Sequence, residues 1–127
     1  QADNAGLHDN VHFLGYRKDV KDLYQAADCF VMPSFREGLS RSIMEAMASG
    51  LPCVVSKIRG NTDLVTENKG GFLCAPTDDN GFATAVSTLS NDASLCNEMS
   101  KYNLERIKDF DVSVVENELT KIYKNTL

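Results

Sequence analysis

Short apolar runs alternate with longer amphipathic segments along this chain of 127 residues. Four of the runs have the length and composition of buried strands, and each ends in glycine, proline or polar residues. These predicted strands lie at residues 11–14, 29–32, 51–56 and 72–75. Because strands that alternate with helices pair in parallel, the pattern predicts an α/β domain with a parallel sheet flanked by helices.

The segments between and after these runs have helical periodicity. We predict helices at residues 18–27, 43–49, 61–66, 79–89, 93–108 and 112–123. The second consists of good helix formers and stops at Gly50 and Pro52. Asn61 or Thr62 is expected to cap the third, and Asp78 and Asp79 to cap the fourth. The polar residues 1–10 are expected to be a frayed helix end leading into the first strand.

The stretch at residues 34–52 links a predicted strand to a predicted helix through a turn that contains glycine. Such a turn directs free backbone N–H groups, and the positive end of a helix dipole, at whatever lies above the sheet. In parallel sheets, ligands bind beyond the carboxyl ends of the strands. We therefore expect an anion site where the loops at residues 15–17, 34–39 and 56–61 gather.

Two carboxylates, Glu37 and Glu45, bracket the start of this helix. Eight residues would place Glu45 two turns beyond Glu37, roughly 12 Å along the axis. Both could accept hydrogen bonds from sugar hydroxyls on either side of a bound diphosphate, which is the layout of a nucleotide sugar. The alternative is that Glu37 favours the helix dipole and Glu45 lies on a solvated face. The pattern of these two residues leaves both interpretations open.

Composition narrows the class of protein. Hydrophobic residues at 43% and charged residues at 24% are ordinary for a folded soluble domain. No apolar run approaches the roughly 18 residues of a membrane span, and we expect no signal peptide in the first residues given. The net charge of -5 argues against a nucleic-acid partner, which would require a basic face.

No metal cofactor is expected. His8 and His12 have a spacing that suits a metal only on a helix, and Asp78 with Asp79 lacks the D-x-D spacing. The cysteines never form C-x-x-C, so we expect four reduced thiols, as in the cytoplasm. They are Cys29, Cys53, Cys74 and Cys96.

The stretch Glu37-x7-Glu45, followed by Ala46-Met-Ala-x-Gly50-x-Pro52, resembles a family signature. It is similar to that of the retaining, nucleotide-sugar-dependent glycosyltransferases of the GT-B fold, called family 4 or group 1. Blocks at residues 11–15, 26–34, 52–55 and 71–76 are similar to that family's C-terminal, donor-binding domain. The resemblance is close from residue 11 to about residue 90. It implies a Rossmann-like sheet that is the truncated C-terminal half of a GT-B enzyme.

The resemblance implies a role for each residue of the turn. Glu37 corresponds to the catalytic position that holds hydroxyls of the donor sugar, and Glu45 corresponds to the ribose ligand. Gly38 and Leu39 would offer backbone N–H groups to the phosphates, and Ser34 belongs to the same donor-binding loop. These roles are binding and positioning rather than acid–base chemistry.

Two neighbouring loops complete the implied donor site. Tyr16 and Arg17 lie where the family's base pocket forms. The next loop carries residues that either touch the sugar or phosphate or are ordinary exposed positions: Lys57, Arg59 and Gly60. After Gly38, residues 39–42 replace an aromatic residue and a second glycine, as in a variant frequent in bacterial surface and capsular polysaccharide transferases.

The implied reaction transfers a hexose from a UDP- or GDP-sugar to an acceptor hydroxyl with retention, without a metal. The family's first two strand units, with a basic Arg and Lys, have no match before residue 11. We therefore expect residues 1–127 to be one partial domain, inactive alone, with a saccharide or lipid-linked acceptor bound by a missing N-terminal domain. We expect a cytoplasmic location, and peripheral association of the full-length protein with the inner face of the membrane is compatible with it.

Two other classes of protein stay open. A glycoside hydrolase would need its two carboxylates to face each other at about 5 to 9.5 Å. A non-catalytic, doubly wound nucleotide-binding module is the stronger alternative, because a fold does not determine a function.

The resemblance also makes a prediction about the sheet. In the family's strand order, the strands at residues 11–14 and 29–32 are separated by the two strands that lack a match, a gap of roughly 14 Å. Unpaired buried backbone is costly. We expect the open edge to be filled by the strand at residues 11–14, by a second copy of the chain or by residues outside it. We favour a homodimer.

Overall fold

The computed structural model describes residues 1–126 and contains one parallel sheet. Its strands are β1 (Phe30–Met32), β2 (Cys53–Ser56) and β3 (Gly71–Cys74), in the order β1-β2-β3. Both pairings are parallel, with Phe30 opposite Cys53 and Val54 opposite Phe72. The predicted α/β class and parallel sheet are confirmed.

Helices cover both faces of the sheet. They are α1 (Val20–Ala26), α2 (Arg41–Ala48), α3 (Asn61–Leu64), α4 (Asp79–Asn91), α5 (Ala93–Arg106) and α6 (Val112–Thr126), with a 3₁₀ turn at Ile107–Phe110. Each predicted helix is present, with its bounds shifted by a few residues. The break expected near residue 110 is the 3₁₀ turn.

The core has two parts because side chains of the central strand alternate between faces. On one face, α2 and α3 pack against Cys53 and Val55. On the other face, Val54 packs against residues of α4 and α5, including Phe82 and Met99. All four residues of β2 are buried. This central strand therefore holds the sheet rigidly beneath the loops that follow β1 and β2.

The strand predicted at residues 11–14 does not form. Residues 1–10 form turns rather than a helix end, and residues 11–15 have no regular structure. Phe13 is 89% exposed, and the Val11 N–H bonds to the nearby Leu7 carbonyl at 3.1 Å. An apolar run becomes a strand only where a neighbour satisfies its backbone and covers its side chains. Within residues 1–126, no strand does so for this segment.

The outer edge of β1 has no strand neighbour among residues 1–126. The prediction that residues 11–14 fill this edge is therefore wrong, since they pair with no strand. Val31, at the middle of β1, is 42% exposed. Pairing with a second copy, or with residues outside this chain, stays a prediction.

The predicted caps of α3 and α4 had opposite outcomes. Asp78 caps α4 as predicted, because its Oδ1 accepts from the Gly81 N–H at 2.9 Å. The cap predicted for α3 is wrong, because Gly60 is the N-cap residue and no side chain caps this helix. Asn61 is buried, and its Nδ2 donates to the Ser56 carbonyl at 3.0 Å. The buried carbonyl at the end of β2 needs a donor, which takes precedence over the cap.

Candidate functional site

The helix at the candidate site begins at Arg41, and its N-cap is Ser40. Ser40 Oγ accepts from the Ile43 N–H at 3.4 Å, which satisfies one of the free donors at this helix end. Glu37 consequently lies outside α2, in the loop, while Glu45 lies in its second turn. Glu37 thus precedes the helix, as predicted, and the separation expected between the two carboxylates stays a prediction.

The loop after β1 and the loop after β2 are fixed to each other. The Ser34 N–H donates to Ser56 Oγ at 2.8 Å, and Ser56 is fully buried. Gly60 has φ +90°, and a Cβ placed on it would lie 2.1 Å from the Gly38 carbonyl oxygen. Only glycine permits this approach of two backbones. The structure therefore brings Ser34, Gly38 and Gly60 together at the carboxyl ends of β1 and β2.

The side chains around these two loops face solvent. Glu37 and Leu39 are exposed in the first loop, and Lys57 and Arg59 are exposed in the second. The backbone of the second loop is held in place, since the Lys57 N–H donates to the Cys74 carbonyl at 2.7 Å. The site thus combines a fixed backbone with accessible acidic and basic side chains, which suits the binding of an anionic, hydroxyl-rich ligand.

Glu45 lies between an arginine and a tyrosine. Its Oε1 is 3.2 Å from Arg41 Nε, one turn earlier on α2. On its other side, the Tyr24 hydroxyl donates to the Ser42 carbonyl at 3.4 Å. Burial raises the pKa of Tyr24, and the negative charge of Glu45 adds to that rise. Glu45 and Tyr24 also line a cleft between α1 and α2, together with Lys18.

Arg17 pairs with a near neighbour in sequence, and Tyr16 faces solvent. The Arg17 guanidinium binds both carboxylate oxygens of Asp19, with 2.7 Å from Nε to Oδ1. This hydrogen bonding raises the pKa of Arg17 and lowers that of Asp19. Tyr16 is 91% exposed. Neither side chain lines the cleft beside Glu45, whereas the next residue, Lys18, does. A base-binding role for Tyr16 and Arg17 therefore stays a prediction.

Sequence reasoning missed three residues of the site. Arg41 could have been found, because an arginine four residues before a glutamate on a helix is positioned for an ion pair. Tyr24 was predicted only as part of the helix at residues 18–27. The sequence gives no indication of the role of Ser56, because this residue meets the loop after β1 only when β1 and β2 pair in the sheet.

The chemistry of the remaining side chains is limited. All four cysteines are free thiols, as predicted. Among residues 1–126, no group of three or more His, Cys, Asp or Glu side chains is arranged to hold a metal ion. Metal independence nevertheless stays a prediction. In the same part of the chain, no helix is long and apolar enough to cross a bilayer.

Comparison with known proteins decides the family. The profile of the group 1 glycosyl transferases matches residues 1–106. The chain belongs to this family. The predicted family membership is therefore confirmed, and similar solved structures are GT-B transferases.

Individual relatives add detail to the family match. The UDP-Gal:α-D-GlcNAc-diphosphoundecaprenol α-1,3-galactosyltransferase of Escherichia coli is 37% identical over an alignment that covers 90% of this chain and 33% of that protein. Anabaena HepE in complex with UDP is 28% identical with a TM-score of 0.89. The UDP-glucose complex of the same protein is 27% identical with a TM-score of 0.85. Both of these matches cover 98% of this chain and 35% of the solved chain.

The chain thus spans about a third of the length of the relatives it matches. The activity, substrates and partners of the whole protein are therefore proposals.

Proposed function

We propose that this chain is the donor-binding part of a glycosyltransferase that uses a UDP- or GDP-sugar. One observation carries the proposal: the loops after β1 and β2 meet at Gly38 and Gly60 in front of α2, in a chain that is 28% identical to a UDP-bound relative. A helix N-terminus and adjacent backbone N–H groups stabilise phosphate charge.

Each residue of the site has a distinct proposed role. The N–H groups of Gly38 and Leu39 bind the diphosphate, and Glu45 accepts hydrogen bonds from the ribose hydroxyls. Glu37 holds hydroxyls of the donor sugar at the catalytic position. Lys57 and Arg59 are exposed in the loop that leads to Gly60, and we assign them contacts with the sugar or phosphate.

The proposed reaction moves the sugar from the nucleotide to an acceptor hydroxyl with retention at the anomeric carbon. The bond from the anomeric carbon to the diphosphate oxygen breaks, and a bond to the acceptor oxygen forms. The diphosphate leaves with the bonding electron pair, and its oxygen takes the proton that the acceptor hydroxyl loses. The helix dipole of α2 and basic side chains stabilise the negative charge that develops on the leaving group. No step requires a metal.

A binding experiment tests this function. Calorimetric titration with UDP and with GDP uses the longest natural polypeptide that contains this chain. Glu45→Ala removes a charge-assisted hydrogen bond and is expected to weaken nucleotide binding by about 1.5 to 3 kcal/mol. Glu105→Ala is the matched control, because it removes an exposed carboxylate that is paired with Lys108 at 2.7 Å on α5.

Two results would contradict the proposal. If neither nucleotide binds, the donor role is wrong. If Glu45→Ala and Glu105→Ala bind the nucleotide equally well, the ribose role of Glu45 is wrong. If the same polypeptide binds a nucleotide but transfers no sugar, the result would instead favour a non-catalytic binding module, because nucleotide binding alone does not establish catalysis.

We also propose a role in surface or capsular polysaccharide synthesis, with a saccharide or lipid-linked acceptor bound outside this chain. The E. coli relative acts on a diphosphoundecaprenol-linked sugar, which supports a lipid-linked acceptor. Such an acceptor would place the protein in the cytoplasm at the inner face of the membrane. Sugar transfer to undecaprenyl-diphosphate saccharides, and recovery of the protein with membranes, test the two statements separately. Residues 1–127 alone are expected to transfer no sugar.

The open edge of β1 is proposed to pair with a second copy of the chain. The edge is apolar, with Val31 42% exposed, and an unpaired strand edge is a template for pairing. Light scattering of residues 1–127 is expected to show a dimer. A strict monomer whose β1 amides exchange as fast as solvent-exposed ones would contradict this proposal.

A further inference from the structure

The ion pair between Arg41 and Glu45 lies at the surface. The Arg41 side chain is 89% exposed and that of Glu45 is 46% exposed. Exposed pairs one helical turn apart contribute little to folding, because water solvates both charges and the side chains lose entropy when they pair. The pair therefore adds little to the free energy of unfolding. It lies at the start of α2, next to the proposed ligand site, so a role in ligand binding is the alternative.

The pair brings one carboxylate oxygen of Glu45 close to Arg41, with 3.2 Å between Oε1 and Nε. A carboxylate offers about four acceptor positions, so Glu45 can accept further hydrogen bonds beside this contact. The Tyr24 ring, anchored by its hydroxyl to the Ser42 carbonyl, borders the carboxylate on the side of the cleft. The contact with Arg41 and the neighbouring Tyr24 ring thus limit the orientations that the Glu45 side chain takes before any ligand arrives.

We propose that Arg41 is a positioning residue that orients the Glu45 carboxylate for the ribose hydroxyls of the donor. This inference rests on the proposed function, because it assigns a residue to the same site. Orientation before binding lowers the entropy that the ligand must overcome. Arg41 acts through Glu45, so its effect concerns the nucleoside part of the ligand and not the diphosphate.

The test compares UDP with uridine, titrated into the longest natural polypeptide that contains this chain and followed by NMR. Arg41→Ala is expected to weaken the binding of both ligands by the same factor, roughly threefold to tenfold. In a Glu45→Ala background, Arg41→Ala is expected to have no further effect on either ligand. The melting temperature of Arg41→Ala should match that of the wild type. Lys108→Ala is the control and should change neither affinity, because it removes an exposed basic side chain that is paired with Glu105 at 2.7 Å, away from the loops of the site.

The outcomes separate this inference from the proposed function. If the wild type binds neither UDP nor GDP, the proposed function fails and the inference fails with it. If it binds GDP alone, GDP and guanosine replace UDP and uridine in the same test. If Glu45→Ala weakens binding but Arg41→Ala does not, the function stands and the positioning role is overturned. A loss for UDP without a loss for uridine, or a loss that persists in the Glu45→Ala background, also overturns it, because Arg41 would then contact phosphate directly.

Discussion

The predicted strands at residues 11–14 and 29–32 have the same kind of sequence but opposite structures. Each is a short apolar run followed by a predicted helix. In the body of the protein (residues 28–110), the second run becomes β1, paired with the fully buried β2. In the N-terminal segment (residues 1–19), the first run has no regular structure, and Phe13 is 89% exposed.

This difference shows that an apolar run needs a neighbouring strand before it becomes one. β1 has β2 on one side, whereas the N-terminal segment has no strand beside it within residues 1–126. The candidate site follows the same division. The loops after β1 and β2 are fixed by contacts at Ser56 and Gly60, while Arg17 pairs only with the nearby Asp19 among the described residues. Each prediction below tests this contrast between the body and the N-terminal segment.

The largest contrast is expected from loss of an apolar side chain in each region. Ile43 is fully buried in α2, so Ile43→Ala removes packing, leaves a cavity and should lower the free energy of unfolding by about 2 to 5 kcal/mol. Phe13→Ala in the N-terminal segment should change it by less than about 0.5 kcal/mol, because this ring is in water. Urea unfolding of both variants measures the difference. Equal losses would mean that Phe13 is packed in solution.

A second contrast concerns alkaline pH. Burial raises the pKa of the Cys53 thiol to about 12, above its ordinary value of 9.0. The folded state therefore keeps a proton that the unfolded state loses, and stability is fully present below pH 9 and declines as the pH rises toward 12. The decline reaches about 4 kcal/mol at most, at about 1.36 kcal/mol per pH unit.

Urea unfolding of the wild type and of Cys53→Ala between pH 7 and 11 measures this effect. The alanine variant should show a shallower alkaline decline. Removal of residues 1–19, which contain no cysteine, should leave the decline unchanged. Parallel curves for the wild type and Cys53→Ala would indicate that the thiol is accessible to water.

A third contrast uses two glycines with positive φ. Gly60→Ala places a Cβ against the Gly38 carbonyl at φ +90° and should destabilise the fold by about 1 to 3 kcal/mol while weakening UDP binding. Gly15→Ala at φ +64° meets no atom within 4 Å, so only the backbone cost of about 1 kcal/mol applies. Thermal unfolding and UDP titration of both variants test this. Unchanged UDP affinity in a folded Gly60→Ala protein would remove the contact between the two loops from the site.

The smallest contrast concerns helix caps. Asp78→Ala removes a cap hydrogen bond from α4 and should cost about 1 kcal/mol. Asp19→Ala should cost less, because Asp19 precedes α1 without a side-chain cap bond and pairs with Arg17 in water. Chemical denaturation at pH 7 compares the two. A larger loss for Asp19→Ala would show that the pair with Arg17 stabilises the start of α1.

Much of the body was predictable because its elements are specified locally. The strands β1, β2 and β3, the helix periodicity, the Asp78 cap and the stop at Gly50 follow from short-range patterns. The motif from Glu37 to Pro52, together with similar blocks between residues 11 and 76, predicted the family. These features require only a residue and its near neighbours in sequence.

Other features were decided by the tertiary structure, because they depend on residues that are distant in sequence. The fate of residues 11–14 depends on whether a strand lies beside them, and the role of Ser56 depends on the position of β1 in the sheet. Asn61 turns from a cap to a donor for the Ser56 carbonyl because that carbonyl is buried. The sequence by itself thus determined which segments are apolar, which are helical and which form turns. Strand pairing, and the hydrogen bonds that buried backbone groups require, decided which segments form the sheet and the site.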